Sequence, residues 1–305
     1  MDARNKHAYL ILCHTDFSLL CLLIRLLDDE RNDIYIHIDR KLNLGNRCLN
    51  TKKAGLCVLE QRFDARWGDY SLVQVELMLF ETASSKGCYA YYHLLSGADL
   101  PLKSQDYIHE WCDRNAGVEL VGFSGTETDQ EAKWRACHRF LFPRRFRSNS
   151  IFIRLVRRVF LSFQDIVPLS KMRSIEVKKG PQWVSVTHDF VSYLLQNRTK
   201  VEELFAHTYC PDELFVQTVC WNSPFRQRVF DVKHEFAGCM RYIPWRNGVL
   251  LDMTVDILYN ALASDCWFAR KFNSKQYEIL NILCSHLGLS CFVYAYTCIS
   301  HSTYI

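Results

Sequence analysis

The sequence predicts an α/β fold built on a mostly parallel sheet, and three features near its beginning support this. Residues 7–13 form an apolar run typical of a buried strand, and residues 19–27 carry leucines at helical spacing after a candidate cap at Asp16. Residues 34–38 alternate as a second strand that ends at Asp39. Strand, helix and strand within about thirty residues form a βαβ unit, which predicts parallel strands and a ligand crevice beyond their carboxyl ends.

The rest of the chain continues this alternation of strands and helices. In order, the patterns predict a strand near 57–59, a helix over 71–83 capped by Asp69 or Ser71, a strand over 89–95, a loop over 96–102, strands over 120–123 and 183–186, and a helix over 189–195. Such alternation is typical of α/β proteins. The sequence has no G-x-G-x-x-G or Walker glycine loop, which excludes the standard dinucleotide-binding and P-loop interpretations.

Composition narrows the class of protein further. The 305 residues, 49% hydrophobic and 23% charged, are typical of a globular chain, and we expect one domain over 1–305. The formal charge of +4 is small and dispersed, so nucleic acid is not an expected partner. The 14 cysteines form no C-x-x-C pair, and His14, His93 and His188 have no familiar metal spacing, so we expect no metal.

The beginning of the chain predicts a compartment. From Met1 the sequence enters its first apolar strand without the long apolar region of a signal peptide. The longest apolar stretch, 19–27, is broken by Arg25 and is shorter than the roughly 20 residues of a membrane span. We therefore expect a reducing cytoplasm, in which the cysteines stay free.

Residues 209–213, Tyr-Cys-Pro-Asp-Glu, contain a candidate catalytic carboxylate. Pro211 suits the first position of a helix over 213–219, which places Glu213 in the first turn, where the helix dipole favours an ionised carboxylate. Glu213 is then a candidate proton acceptor. Capping chemistry at a helix start is the alternative interpretation of the same residues.

Two further segments carry positive charge. Arg270 and Lys271 are candidates to stabilise a departing diphosphate, and a solvated surface pair is the alternative. Residues 139–158 alternate aromatic and aliphatic side chains with seven arginines: Arg139, Arg144, Arg145, Arg147, Arg154, Arg157 and Arg158. Such a basic segment is able to contact an anionic membrane surface or an acidic acceptor, and a solvated helix face with packed aromatics is the alternative.

Seven segments, taken in order, resemble the core-2/I-branching β-1,6-N-acetylglucosaminyltransferase family, which also includes peptide O-xylosyltransferases and bacterial members. The segments lie within residues 7–272 and are IYIHIDRK (34–41), RWG with SLVQVEL (66–77), YHLLSGADLPLK (92–103), GPQWVSVTHDFVSYL (180–194), YCPDELF (209–215), MRYIPW (240–245) and FARKF (268–272). The resemblance implies a GT-A-like fold, a UDP-sugar donor, inversion at the anomeric carbon and catalysis without a divalent metal. The absence of a D-x-D triplet from the sequence agrees with the last point.

The resemblance also implies roles for individual residues. Glu213 matches the family's catalytic base, with Asp212 as a capping or orienting neighbour. Lys271 matches the lysine that, with an arginine, replaces the metal on the diphosphate. Arg246 is our first placement for that arginine, and Arg270 is the alternative.

The remaining matched residues line the expected pocket. Asp39, with His37 and Lys41, matches a donor-site strand end, for which loop capping is the alternative. Matches to the donor and acceptor pocket are Trp67, Gly68, Asp99 and Trp183, and matches to an aromatic segment near the acceptor are Tyr242 and Trp245. Buried tryptophans serve as core residues more often than as sugar platforms, which is the alternative for these positions.

Together these features predict a single glycosyltransferase domain with a C-terminal extension over 273–305. The expected reaction moves GlcNAc from UDP-GlcNAc to a hydroxyl group of a saccharide acceptor. One hypothesis is that this acceptor is linked to a lipid. We expect a bacterial enzyme of surface polysaccharide or lipopolysaccharide synthesis at the inner membrane face, without cofactors. Alternatives are xylose or another donor sugar, and a non-catalytic saccharide-binding or membrane-associated protein of the same fold.

Overall fold

A five-stranded sheet forms the centre of the molecule. The computed structural model describes residues 5–43, 47–146, 149–167, 175–246 and 248–289. The strands of the sheet are β1 (His7–Cys13), β2 (Asn32–Ile38), β3 (Gly55–Val58), β4 (Tyr91–Ser96) and β6 (Ser185–Thr187). Their order is β3-β2-β1-β4-β6, and all neighbours are parallel except β4 and β6. The predicted mostly parallel sheet is confirmed.

Helices cover both faces of this sheet. They are α1 (Phe17–Leu26), α2 (Ser71–Lys86), α3 (Gln105–Arg114), α4 (Asp129–Cys137), α5 (Ile151–Ile166), α6 (His188–Gln196), α7 (Arg198–Phe205), α8 (Phe215–Trp221), α9 (Val255–Ala263) and α10 (Tyr277–His286). Because side chains alternate along a strand, Tyr9 and Ile11 of β1 enter one core, and Ala8 and Leu10 enter the other. Burial on both faces accounts for the unbroken apolar run of β1 in the sequence.

The strand order places a topological switch point at β1. The chain moves from β1 outward to β2 and β3, and then returns to the opposite side of β1 to form β4. Connections therefore leave the carboxyl ends of β1 and β4 in opposite directions, which opens a crevice there. Residues at these ends, and Asp39 at the end of β2, are in place to line a ligand site.

A second, three-stranded sheet extends one side of the crevice. It is formed by β5 (Leu100–Pro101), β7 (Arg241–Tyr242) and β10 (Phe268–Ala269), in the order β5-β10-β7. A short hairpin of β8 (Trp245–Arg246) and β9 (Val249–Leu250) follows β7. This sheet brings residues 268–271 to the loop that follows β4, because β10 pairs with β5.

Two predicted elements differ in the structure. Residues 211–213 form a 3₁₀ turn after Cys210, which adopts a left-handed conformation, and α8 begins only at Phe215, so Glu213 does not lie in the first turn of an α-helix. The predicted strand over 120–123 is also wrong. Only isolated bridges form there, since Leu120 pairs with Ser185 before the chain turns away.

Candidate active site

Asp39 lies at the carboxyl end of β2, and the backbone already uses both oxygens of its carboxylate. Oδ1 accepts the N–H of Lys41 at 2.8 Å, and Oδ2 accepts the N–H of Ala65 at 3.0 Å. His37 is buried, its Nε2 accepts the N–H of Phe63 at 2.9 Å, and burial lowers its pKa to about 4. Both side chains hold the loop after β3 against the sheet edge, so their contact with a donor stays a prediction.

Asp99, Arg270 and Trp183 form a buried group beyond the end of β4. Asp99 Oδ2 accepts the N–H of Ser96 at 2.8 Å, while its Oδ1 lies 3.5 Å from Arg270 Nε. The guanidinium of Arg270 also stacks over the Trp183 ring at 4.3 Å. Asp99 Oδ1 and Arg270 Nε are buried and have no hydrogen-bond partner in the described part of the chain. The structure thus brings together three residues that were predicted separately.

Lys271 is exposed at the same edge of the sheet. The pKa of His14, which follows β1, is lowered by burial and next by the positive charge of Lys271, while Asp39 opposes both. These charges interact only because the ends of β1 and β2 meet the segment after β10. Lys271 makes no ion pair with any residue that the structure describes, which leaves its charge available to an anion.

Glu213 faces a buried arginine rather than a helix dipole. Its Oε2 accepts hydrogen bonds from the Nη1 and Nη2 atoms of Arg135 at 3.2 and 3.0 Å. The Glu213 side chain is 32% exposed and that of Arg135 only 6%. Burial raises the pKa of Glu213, while Arg135 and then Lys179 lower it. The carboxylate therefore has one oxygen fixed and remains partly open to solvent.

Two buried carboxyl groups lie behind Glu213. Burial raises the pKa of Asp212 to about 7, and repulsion from Glu213 contributes. Burial also raises the pKa of Glu76, whose Oε1 accepts a hydrogen bond from Gln182 Nε2 at 2.6 Å. Asp212 is buried and its Oδ1 has no hydrogen-bond partner among the described residues, so its role as a capping or orienting neighbour stays a prediction.

A short segment over 180–183 connects the backbone of Glu213 to the ring that stacks on Arg270. The N–H of Gly180 donates to the backbone carbonyl of Glu213 at 3.0 Å, and Trp183 at the other end stacks on Arg270. Three residues advance at most about 10 Å, so the backbones of Glu213 and Trp183 lie near each other. Gly180 permits this path, since a Cβ there would collide with the carbonyl oxygen of Gly122.

Aromatic rings lie on the other side of Glu213. Tyr209 stacks on Phe146 with ring centroids 3.8 Å apart, and Trp67 meets Tyr209 edge-on at 5.6 Å. Gly68 has a φ of +88°, and a Cβ there would approach the Tyr209 ring at 3.0 Å. A cavity of about 430 Å³ adjoins this group, lined by Asp69, Tyr70, Ser71, Gln74, Phe142, Pro143, Arg144, Arg145 and Ala206. Trp67 and Gly68 directly precede Asp69, which lines this cavity, but neither is among its lining residues, so their place in the acceptor pocket stays a prediction.

The other predicted aromatic residues lie near β10. The Tyr242 carbonyl accepts the N–H of Arg270 at 3.2 Å, and Tyr242 itself is partly buried. Trp245 and Arg246 are exposed on the hairpin that follows. Of the two arginines considered for the diphosphate, Arg270 lies inside the site and Arg246 on an adjoining surface.

Sequence reasoning did not identify Arg135, Glu76 or Gln182. Arg135 belongs to no motif, and only the fold brings it to Glu213. Glu76 did leave a signal, because it lies at helical spacing from Val73 and Phe80 on the buried side of α2. A charged residue within such an apolar stripe is a candidate functional group.

The described residues contain no group of three or more His, Cys, Asp or Glu side chains arranged to hold a metal ion. The cysteines at positions 13, 48, 57, 88, 112, 137, 210, 220, 239 and 266 are free thiols. None of the helices in the same ranges is long and apolar enough to cross a membrane. Metal-independent catalysis stays a prediction.

Comparisons with known proteins agree with the fold. A family model described as Core-2/I-Branching enzyme matches residues 7–279. Two curated relatives, both named Xylosyltransferase oxt, come from Drosophila pseudoobscura pseudoobscura and Drosophila melanogaster. Each is 25% identical over 211 residues, which cover 66% of this chain and 22% of the relative. The chain therefore matches about a fifth of the length of these relatives.

Among solved structures, a crystal structure of S. aureus TarS 1-349 is similar at a TM-score of 0.32 and 10% identity. The similarity covers 92% of this chain and 65% of that one. So low a score carries no argument about activity.

Proposed function

The chain belongs to the Core-2/I-Branching enzyme family, a family of glycosyltransferases with a GT-A-like α/β fold, and on this premise we propose that it transfers a sugar from a UDP-sugar to a saccharide hydroxyl. One observation carries the proposal. The backbone of Glu213, whose carboxylate is partly open to solvent, is joined by residues 180–183 to the Trp183 ring that stacks on the cation of Arg270. A carboxylate facing fixed positive charge across a crevice suits displacement of a diphosphate by a hydroxyl group.

In the proposed reaction Glu213 accepts the proton of the acceptor hydroxyl. The acceptor oxygen forms a bond to the anomeric carbon on the face opposite the diphosphate, and the bond from that carbon to UDP breaks. The configuration is inverted, and the electron pair leaves with the β-phosphate. Arg135 supports this step because its charge lowers the pKa of Glu213 against the larger effect of burial, and because it fixes one carboxylate oxygen.

Positive charge from the protein compensates the leaving UDP in this mechanism. Lys271 is exposed at the crevice edge, and Arg270 contributes a buried charge beside Asp99. Fixed cations of this kind take the place that a divalent metal has in other transferases. The proposal therefore includes metal-independent catalysis, with no cofactor.

Two donor sugars are in question. The family resemblance favours GlcNAc, whereas the names of the curated relatives favour xylose. Buried free cysteines such as Cys13, Cys210 and Cys239 favour a reducing compartment, so we place the reaction in the cytoplasm. A saccharide bound for the cell surface is the acceptor class that we propose.

Release of UDP from a panel of UDP-sugars tests the proposal. We expect UDP-GlcNAc or UDP-xylose to be turned over or hydrolysed fastest, at rates unchanged by EDTA. A strong loss in EDTA would refute metal independence alone. UDP binding without turnover of any sugar, with and without saccharide acceptors, would support a non-catalytic saccharide-binding protein instead.

A further inference from the structure

Helix α5 exposes an apolar face to solvent. Six of its large apolar side chains are exposed by half or more, namely Ile151, Phe152, Leu155, Val159, Phe163 and Ile166. At 3.6 residues per turn, all six fall within an arc of about 120°. Scattered apolar residues are normal on a protein surface, but a continuous stripe on one helix indicates a contact surface.

The opposite face of α5 contains two buried polar side chains, Arg157 and Gln164, beside partly buried apolar ones, and these two fix the helix to the protein. Buried Arg157 donates to the carbonyls of Leu141, Arg145 and Phe146 at 3.3 to 3.4 Å, and its guanidinium stacks on Phe146 at 4.5 Å. Buried Gln164 accepts the N–H of Arg139 at its Oε1 and donates from its Nε2 to the Arg139 carbonyl, both at 2.8 Å. The helix thus buries Arg157 and Gln164 and exposes a continuous apolar stripe, whereas a helix on a water-facing surface buries its apolar stripe.

Positive charge borders the apolar face. Within 139–158 the sequence contains no acidic residue, and the exposed arginines that the structure describes there are Arg139, Arg144, Arg145, Arg154 and Arg158. The one carboxylate of α5, Asp165, lies 3.0 Å from His138. Arg154 and Arg158 lie beside Ile151 on the helix circumference. An occupant of this face has to offer apolar contact next to negative charge.

We propose that α5 docks the protein on an anionic lipid membrane, lying in the plane of the interface with its apolar stripe among the acyl chains. An anionic bilayer supplies apolar depth and negative headgroups together. A second copy of the chain suits the face less well, because two such helices in contact would bring Arg154 and Arg158 close to their own counterparts without acidic partners.

Docking through α5 would place the acceptor side of the site near the membrane. Arg157 stacks on Phe146, and Phe146 stacks on Tyr209, which lies four residues before Glu213. The cavity lined by Arg144 and Arg145 adjoins the same rings. If the proposed glycosyl transfer holds, the acceptor is a lipid-linked saccharide that enters from the membrane. This inference about the acceptor rests on the proposed function, whereas docking itself does not.

Sedimentation of the full chain with vesicles tests the docking itself. We expect binding to mixed phosphatidylcholine and phosphatidylglycerol vesicles, weak binding to phosphatidylcholine alone, and weakening by salt. The double variant Leu155→Gln/Val159→Gln should bind at least about tenfold more weakly. Arg154→Gln should weaken binding about fivefold. The matched control, Tyr259→Gln/Tyr277→Gln, changes equally exposed residues outside α5 and should bind normally.

Four results would overturn the proposal. They are no binding of the native chain to the mixed vesicles, normal binding of the Leu155→Gln/Val159→Gln variant, an equal loss in the control variant, and a native dimer in light scattering that the α5 variant converts to a monomer. The vesicle assay needs no nucleotide sugar. Its failure is therefore separate from failure of UDP release, which would refute the proposed function and leave docking intact.

Discussion

Replacing Glu213 with glutamine tests the proposed mechanism most directly. The amide keeps the shape of the side chain, and its oxygen still accepts a hydrogen bond from Arg135, but it has no affinity for the proton of an acceptor hydroxyl. Loss of a general base lowers the rate by about 10²- to 10⁴-fold, which is about 3 to 5 kcal/mol in the barrier. In the proposed mechanism Glu213 meets the acceptor hydroxyl and not the diphosphate, so UDP affinity should change little.

The structure also sets the expected cost of this change in stability. Removing one partner of a fully buried ion pair costs about 3 to 5 kcal/mol. Here the Glu213 side chain is 32% exposed, and Arg135 keeps a second carboxylate, Glu131, with Oε1 3.8 Å from its Nε. We therefore expect a loss of about 1 to 2 kcal/mol in the free energy of unfolding, which is small enough for the variant to fold.

Glu131→Gln is the matched control, because it removes the other carboxylate that faces Arg135. It should retain turnover within about twofold, since its 58% exposed side chain lies on the surface. UDP release measures turnover, calorimetry measures UDP binding, and denaturant unfolding measures stability. Native turnover in Glu213→Gln, or an equal loss in Glu131→Gln, would refute Glu213 as the base.

Three further changes give separate readouts. Lys271→Ala should weaken UDP binding about tenfold in calorimetry, and an unchanged dissociation constant would exclude it from the diphosphate site. In the native protein kcat/KM should rise with pH as Glu213 ionises, with a midpoint above the ordinary glutamate pKa because burial raises the pKa of Glu213. Arg135→Gln removes the cation that lowers this pKa, so the midpoint should move up by about one pH unit or more. An unmoved profile would contradict the assignment of Glu213 as the base. Gly68→Ala should lower unfolding free energy by about 1 to 2 kcal/mol more than Gly288→Ala, since both have positive φ but only Gly68 packs against a ring; equal losses would contradict this reasoning.

Local pattern sufficed where the local signal and the tertiary structure agree. The strand over His7–Cys13 and the helix that starts after Asp16 were predicted closely, and the Asp16 side chain accepts the N–H of Leu19 at 3.1 Å. Burial on both faces makes such a strand apolar throughout, and a cap is a contact within one turn. These signals are complete within about ten residues, so no distant contact was needed to interpret them.

The sequence-based prediction failed where contacts with distant residues determine the backbone conformation. Cys210 itself adopts a left-handed backbone conformation, and its N–H donates to the Gly68 carbonyl at 3.2 Å. This turn leads to a 3₁₀ segment at Pro211 and delays the helix. The apolar run over 120–123 is buried but forms no strand, because the Ser124 N–H donates to the Lys179 carbonyl instead of extending a ladder. Neither partner is visible from the local sequence.

Distant contacts were also needed to interpret the basic, amphipathic segment over 139–158. Its arginines and aromatic residues were evident in the sequence, and both a membrane surface and a packed helix face were considered. Which face of α5 meets the protein depends on Arg157 and Gln164, whose backbone partners outside the helix lie between 11 and 25 residues away. Only those contacts show that the apolar side is the exposed one.

The Pro-Asp-Glu motif contains two carboxyl groups, and the different environments of Asp212 and Glu213 favour the second as the base. Asp212 is buried with a pKa raised to about 7, and burial raises the pKa of the nearby carboxyl group of Glu76 well above its ordinary value. Burial therefore favours the protonated form of both groups. Glu213 alone of the three faces Arg135 and solvent, so negative charge in this group concentrates on the carboxylate that an acceptor hydroxyl is able to reach. Asp212→Asn should then retain far more turnover than Glu213→Gln, and the reverse order in UDP release would assign the base to Asp212.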